Sequence, residues 1–372
     1  MRVLHVGGPR ERTSRAPVRW AGLELQLVRS QFDQLVRYNH HTPEMMPRVS
    51  RERLTAFADA AHGFEAIFCE TPEALLLFDE WQRRGLTQRP LVALEVEGLL
   101  RVDAMRRWYR YRGGDPWPAL CRAPHVSWLA ASSVQQERLA QGGVPQERIF
   151  PVRGCTAHFG MFVQDIERQL GGDAAADASL AQGLPRDAVL LPGGGRRDHV
   201  TALRAAGRLP GLTFVLIDEL LPRKQHQLRE AGISQLPNLY SLKPLSLERF
   251  IALVRRARLV VVSLQPGQGD GGHTTVATAH RLGVPVIVTD VPGIADYVTD
   301  GVDARLVPPG DPSALAAAIE ELWNDPAQTE AYTAAGRRTE ATRCEAAPGQ
   351  HRAALKAACE GLDASLDASG GE

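Results

Sequence analysis

Eleven short runs rich in valine, isoleucine and leucine recur along this 372-residue chain, separated by segments of helical character. The first five are RVLHV (2–6), EAIFCE (65–70), PLVALEVE (90–97), VSWLAAS (126–132) and RIFPVRG (148–154). The other six are AVLLPGGG (188–195), TFVLID (213–218), NLYSLK (238–243), LVVVSLQ (259–265), PVIVTD (285–290) and ARLVPP (304–309). Continuous apolar runs suit strands covered by helices on both faces, as in parallel sheets. Their alternation with helices specifies an α/β fold. Between the two series lies QLGGDAAADASLAQGLPRD, rich in Gly, Ala and Asp and without an aromatic residue, which reads as a linker. The expected organisation is a first domain over 1–168, the linker over 169–187, a second domain over 188–340, and a C-terminal helix with a frayed tail over 341–372. Residues 311–341 read as helical, with Asp311 as N-cap and Pro312 in the first turn. Residues 8–60 are less regular, and 19–38 reads as a strand followed by a helix.

Charge and composition narrow the function classes. Lys+Arg and Asp+Glu both number 43, so there is no net charge to drive binding to nucleic acid. No apolar run reaches the length of a membrane span, which leaves only a peripheral membrane contact open. The start, MRVLHVGGPRERTSR, has no long apolar stretch of the signal-peptide kind, so a cytoplasmic protein is expected. The five cysteines (69, 121, 155, 344 and 359) form no CxxC pair, and their number is odd. Reduced structural thiols are expected, with neither a zinc site nor a disulfide framework. Nothing in the sequence sets an oligomeric state.

Two loops of the second half carry chemistry. In QGDGGHTTVATAHRLGVPVIVTD (268–290), glycines precede a helix. Amides at a helix N-terminus lack intrahelical partners and carry partial positive charge, so they bind anions. Gly271 and Gly272 let backbone approach a phosphate, Thr274 and Thr275 add hydroxyls, and His273 either donates to a phosphate or packs away from it. A glycine turn before an ordinary core helix would look the same. In VLLPGGGRRDHVTALRAA (189–206), a buried strand ends in glycines, Gly194 and Gly195 among them, followed by Arg196 and Arg197. Forked guanidiniums at the carboxyl end of a parallel strand suit phosphate oxygens. A solvated turn is the alternative. The spacing is neither that of a dinucleotide fingerprint nor that of a Walker loop. Two such loops in one domain point to a phosphate-bearing ligand.

These stretches, together with LPNLYSLKPLSLERFIALVRRARLVVVSLQ, VPGIADYVTDG and ARLVPPGDPSALAAAI, resemble the nucleotide-binding domain of group 1 glycosyltransferases of the B-type fold. The resemblance is clear over about 186–325 and touches 125–152; residues 8–60 match poorly. It implies two Rossmann-like domains facing across a cleft, the second holding a nucleoside diphosphate sugar as donor and the first an acceptor. It implies a retaining transfer with no metal and no other cofactor. Arg196 and Arg197 fall where the family binds diphosphate, the GGHTT turn where it meets donor phosphate and sugar, and Lys243 near the base-recognition segment. Glu97 falls at a position that often carries an active-site polar residue, although a carboxylate at a strand end also caps a neighbouring helix.

The family pairs two acids eight positions apart around the glycine loop. Here the positions are Asp270, taken as the catalytic sugar contact, and Thr278 at the ribose position. A neutral hydroxyl lacks the bidentate acceptor of a carboxylate, a loss of about 1.5–3 kcal/mol if nothing replaces it. His280 points roughly 200° away from Thr278 on a helix and does not substitute. Together with the divergent GCTAHFGMF (154–162), this supports a second reading, a glycosyltransferase-like binding or regulatory protein without turnover. A sugar-nucleotide epimerase on the same fold is the third.

Overall fold

The computed structural model describes residues 2–5, 18–20, 23–27, 36–38, 47–94, 100–154, 182–193, 197–217, 226, 228–229, 233, 236–243, 245, 247–266 and 271–369. The chain divides into two compact units, Met1–Arg153 with Ala346–Glu372, and Gly154–Glu345.

The first unit is built on a seven-stranded sheet of order β2-β3-β1-β6-β7-β8-β9. The strands are β1 (Arg2–His5), β2 (Val18–Trp20), β3 (Leu23–Leu27), β6 (Ala66–Glu70), β7 (Leu91–Leu94), β8 (Val126–Ala130) and β9 (Ile149–Pro151). All pair in parallel except the β2–β3 hairpin. A separate antiparallel pair joins β4 (Val36–Tyr38) to β5 (Pro47–Val49). Of the strand and helix expected over 19–38, the described residues are all strand, and 28–35 lie outside them. Leu23–Leu27 alternates as L-E-L-Q-L, a period-two pattern that selects a strand, and 36–38 is a strand as well. Helices α1 (Arg51–Ala61), α2 (Thr71–Arg84), α3 (Leu100–Tyr111), α4 (Trp117–Arg122) and α5 (Ser133–Gln141) complete the unit. Phe57, Leu75, Trp81, Trp117 and Trp128 fill its core.

The second unit holds a wholly parallel six-stranded sheet of order β12-β11-β10-β13-β14-β15. Its strands are β10 (Val189–Pro192), β11 (Phe214–Ile217), β12 (Leu239–Leu242), β13 (Leu259–Val262), β14 (Val286–Thr289) and β15 (Arg305–Val307). Because side chains alternate along a strand, each strand feeds two cores. Leu190, Val215, Val260, Val262, Val286 and Val288 face one layer, which includes helices α7 (Leu247–Arg256) and α8 (His273–Leu282). Val189, Leu191, Phe214, Leu216, Val261 and Ile287 face the other, against α6 (His199–Arg208) and α9 (Pro312–Asn324). Burial on both faces is why β10, β11, β13 and β14 read as apolar runs.

The helical stretch after residue 311 is two helices. Asp311 caps α9 by accepting from the Ser313 and Ala314 amides, both at 2.9 Å. The chain breaks at Asp325 and restarts at Pro326 as α10 (Pro326–Ser369), which runs through the LDASLDAS stretch that composition suggests would fray. Ala354, Leu355 and Ala358 are buried on it. No helix among the described residues is long and apolar enough to cross a membrane.

Candidate active site at the carboxyl ends of the second sheet

From β10 the chain proceeds through β11 to β12 on one side of the second sheet. From β13 it proceeds through β14 to β15 on the other. The strand order therefore reverses between the adjacent strands β10 and β13, and their carboxyl ends form the topological switch point at which open α/β sheets bind ligands. The two loops singled out by sequence leave these two strands.

They are joined to each other. Arg197 bridges antiparallel to Leu264, and the Asp198 amide donates to the Ser263 carbonyl at 3.0 Å. The Ser263 hydroxyl returns to the Asp198 carbonyl at 3.1 Å, and Leu264 N–H donates to Thr289 Oγ1 at 3.0 Å, which fastens the floor to the end of β14. Asp198 also caps α6, accepting from the Thr201 amide at 3.0 Å and its hydroxyl at 2.6 Å. Arg197 is half-buried. Its Nε donates to the Pro192 carbonyl at 2.9 Å, and its Nη2 donates to Thr275 Oγ1 at 3.2 Å. One guanidinium thus ties the end of β10 to the first turn of α8.

Gly272 sets how that turn is presented. It is the N-cap of α8 with φ +81° and offers no side-chain cap. A Cβ there would lie 2.6 Å from Val262 Cγ1, so only glycine lets the helix start this close to β13. No acidic residue occupies the first turn of α8, and its leading amides keep their positive character. Gly271, Thr274 and Thr275 are half-buried at this end; His273 is buried, its ring stacked on Tyr297 with centroids 4.4 Å apart and planes at 17°.

Gly271, Gly272, His273, Thr274, Thr275 and Arg197 are thus gathered at one end of one helix. Thr278 does not join them at the surface. It is 2% exposed, and its hydroxyl donates to the Thr274 carbonyl at 2.7 Å. His280 turns away as helix geometry requires and is buried, its Nε2 3.0 Å from the Asp303 carbonyl; burial holds its pKa below the usual imidazole range. Lys243 is exposed just beyond β12, beside Tyr240, also exposed. Glu97, Gly194, Gly195, Arg196 and Asp270 lie outside the described residues.

Some contributors escape sequence reasoning. Ser263, Thr289 and Asp198 are ordinary strand-end and cap residues whose roles arise from strand order. Tyr297 lies within the DYVTDG motif, but nothing in the motif announces a ring beneath His273. Among the described residues no group of three or more His, Cys, Asp or Glu is placed to hold a metal ion.

Residues 199–325 match the family model of glycosyl transferases group 1. No curated protein sequence matches the chain. Among solved structures, HepE of Anabaena in complex with UDP-glucose is similar over 99% of this chain and 100% of its own, with 16% identity and a TM-score of 0.62. Sucrose-phosphate synthase from Thermosynechococcus elongatus is similar over 99% of both chains at 17% identity, with a TM-score of 0.58. UDP-GlcNAc 2-epimerase from Neisseria meningitidis, bound to UDP-GlcNAc, follows at 93% of this chain and 98% of its own, with 15% identity and a TM-score of 0.52. The chain has the two-domain glycosyltransferase B-type fold, and within it residues 199–325 are similar to the glycosyl transferases group 1 family.

Proposed function

We propose that the protein transfers a sugar from a nucleoside diphosphate sugar to an acceptor, with retention and without a resident metal. One observation carries this reading: the first turn of α8 and the Arg197 guanidinium meet at the topological switch point of the second sheet. Amides, hydroxyls and a guanidinium converging there suit a diphosphate. As the bond from the anomeric carbon to the diphosphate oxygen breaks, negative charge grows on the leaving group. A helix N-terminus and a fixed cation stabilise that charge more than the charge of the intact donor, which is what accelerates the step. Arg196, Gly194 and Gly195 would add to the cradle. Asp270 would face the sugar, and Glu97 would serve the acceptor side. Lys243 stands near the base. The neighbours HepE and the epimerase are seen with UDP or UDP-sugars, so uridine is the first base to try.

Thr278 supports a second reading, a glycosyltransferase-like binding or regulatory protein without turnover, because a buried neutral hydroxyl stands at the position where a carboxylate is expected. Calorimetric titration with UDP, GDP and ADP, without added metal, tests the first point. Micromolar binding of one of them is expected. Its sugar nucleotides are then offered for turnover, and binding without hydrolysis or transfer to any acceptor favours the second reading. Failure of all three nucleotides to bind refutes the donor site.

A further inference from the structure

The second unit begins at Gly154 and ends at Glu345, and these two passages of the chain lie against each other. Gly154 has φ +98°, and a Cβ there would sit 2.9 Å from Glu340 Oε1 and 3.0 Å from the Arg343 Cβ. Bare backbone is therefore pressed onto one turn of α10. From that turn Arg343 reaches to the loop after β14. Its Nη1 donates to the Tyr297 carbonyl at 2.9 Å and its Nη2 to the Asp296 carbonyl at 3.0 Å. The guanidinium carbon lies 5.1 Å from the centroid of the Tyr297 ring. Tyr297, 1% exposed, stacks on His273, the first residue of α8. Behind Arg343, the fully buried Glu340 carboxylate lies 3.9 Å from its Nη1 and accepts the Cys344 thiol at 3.2 Å.

We propose that Arg343 is a positioning residue: acting through Tyr297, it holds His273, and with it the first turn of α8, in the orientation that receives the donor diphosphate. The inference rests on the reading of α8 as the donor site. A ring held between a guanidinium and an imidazole has little rotational freedom. Forked donation to two successive carbonyls fixes the Asp296–Tyr297 backbone as well, which a lysine cannot do. Arg197 ties the turn to β10 through Thr275 Oγ1, and Tyr297 backs it through the His273 ring.

The test compares Arg343→Lys, Tyr297→Leu and Tyr297→Phe with wild type. Lysine is chosen because it leaves a cation beside Glu340, whereas alanine would strand a buried carboxylate. Histidine-labelled protein is followed by NMR, with the His273 signal assigned from His273→Gln, and UDP affinity is measured by calorimetry. Arg343→Lys and Tyr297→Leu are expected to move the ring-shifted His273 signal and to weaken UDP about tenfold, as for one lost charge-assisted hydrogen bond. Tyr297→Phe recovers most of what Tyr297→Leu loses. Asn238→Ser, which removes donation to the Ala206, Leu209 and Leu212 carbonyls at the opposite end of the sheet, lowers the melting temperature without weakening UDP. An unmoved His273 signal, or a moved signal with unchanged UDP affinity, overturns the inference alone. Wild-type protein that binds no UDP, GDP or ADP overturns the donor reading first, and this inference with it.

Discussion

Replacing Gly272 by alanine probes the site at the point where fold and function share one atom's worth of space. The residue sits at φ +81°, where an L-residue costs roughly 1–2 kcal/mol. The new methyl would lie 2.6 Å from Val262 Cγ1, and Val262 is wholly buried on β13, which is hydrogen-bonded to β10 and β14 on its two sides. Such overpacking adds about 1–3 kcal/mol. The combined penalty of about 2–5 kcal/mol lowers the melting temperature of a unit this size by about 10 °C. Any relaxation has to move the start of α8 away from β13, so the leading amides shift and UDP affinity falls about tenfold. Scanning calorimetry and titration read the two effects. Val262→Ala supplies the internal check, because it removes the colliding methyl and leaves the φ strain. The double variant should be more stable than the two single losses predict by about 1–3 kcal/mol. Additive losses, or a Gly272→Ala protein that melts and binds as wild type does, would refute the reasoning.

Other perturbations follow from the same geometry. Arg197→Ala removes donation to the Pro192 carbonyl and Thr275 hydroxyl and should weaken nucleoside diphosphate binding more than tenfold, as the loss of a charged donor implies; titration at matched ionic strength reads it. Asp198→Ala strips the α6 cap and should cost about 1–2 kcal/mol in urea unfolding, whereas Asp198→Asn recovers much of it. In the first unit, burial and then the Arg148 charge lower the pKa of His125 from 6.5 to about 4. The unfolded chain takes up that proton near pH 6.5 and the folded chain does not. Stability is therefore full above pH 6.5 and falls as pH drops toward 4, by about 1.4 kcal/mol per unit. Urea midpoints at pH 7 and 4.5 should show this loss, and it should be smaller in His125→Phe; equal losses in both proteins would contradict it.

What could be read in advance had a physical reason. All eleven apolar runs contain a strand, because each belongs to a parallel sheet, and where the strand is wholly buried, as in β8, β10, β11, β13 and β14, its composition records that burial directly. The turns after β10 and β13 could be located in advance because each follows directly on a buried apolar strand. Legibility failed where the determinant is tertiary. The β2–β3 hairpin and the β4–β5 pair lie in charged sequence without continuous apolar runs. The break at Asp325 is marked only by a proline one residue later. The stacking of Tyr297 on His273 joins residues 24 positions apart, and Arg343 reaches back another 46. No local pattern encodes either contact.

Thr278 shows where the residue type was legible and its environment was not. As a sequence position it reads as an acid replaced by a hydroxyl, a site short of one charge. In the fold it is 2% exposed, its hydroxyl is donated to Thr274, and its neighbours Ala277 and Ala279 are fully buried. Restoring an acid therefore does not simply restore a clamp. Thr278→Glu loses the bond to the Thr274 carbonyl and places a carboxylate among packed side chains, at a cost of about 3–5 kcal/mol, the scale of an unpaired buried charge. UDP affinity should not rise. Thr278→Val keeps the shape and removes only a back-bond to the preceding turn, which contributes little to a helix. It should bind UDP within about twofold of wild type, since less than 0.5 kcal/mol is at stake. Thermal unfolding and calorimetry on both variants decide the matter. Tighter UDP binding by the glutamate variant would mean that the position does face the ribose and lacks only its charge. Unchanged binding by both means that the ribose is held by other residues, and the search for its acceptor moves to the loops around α8.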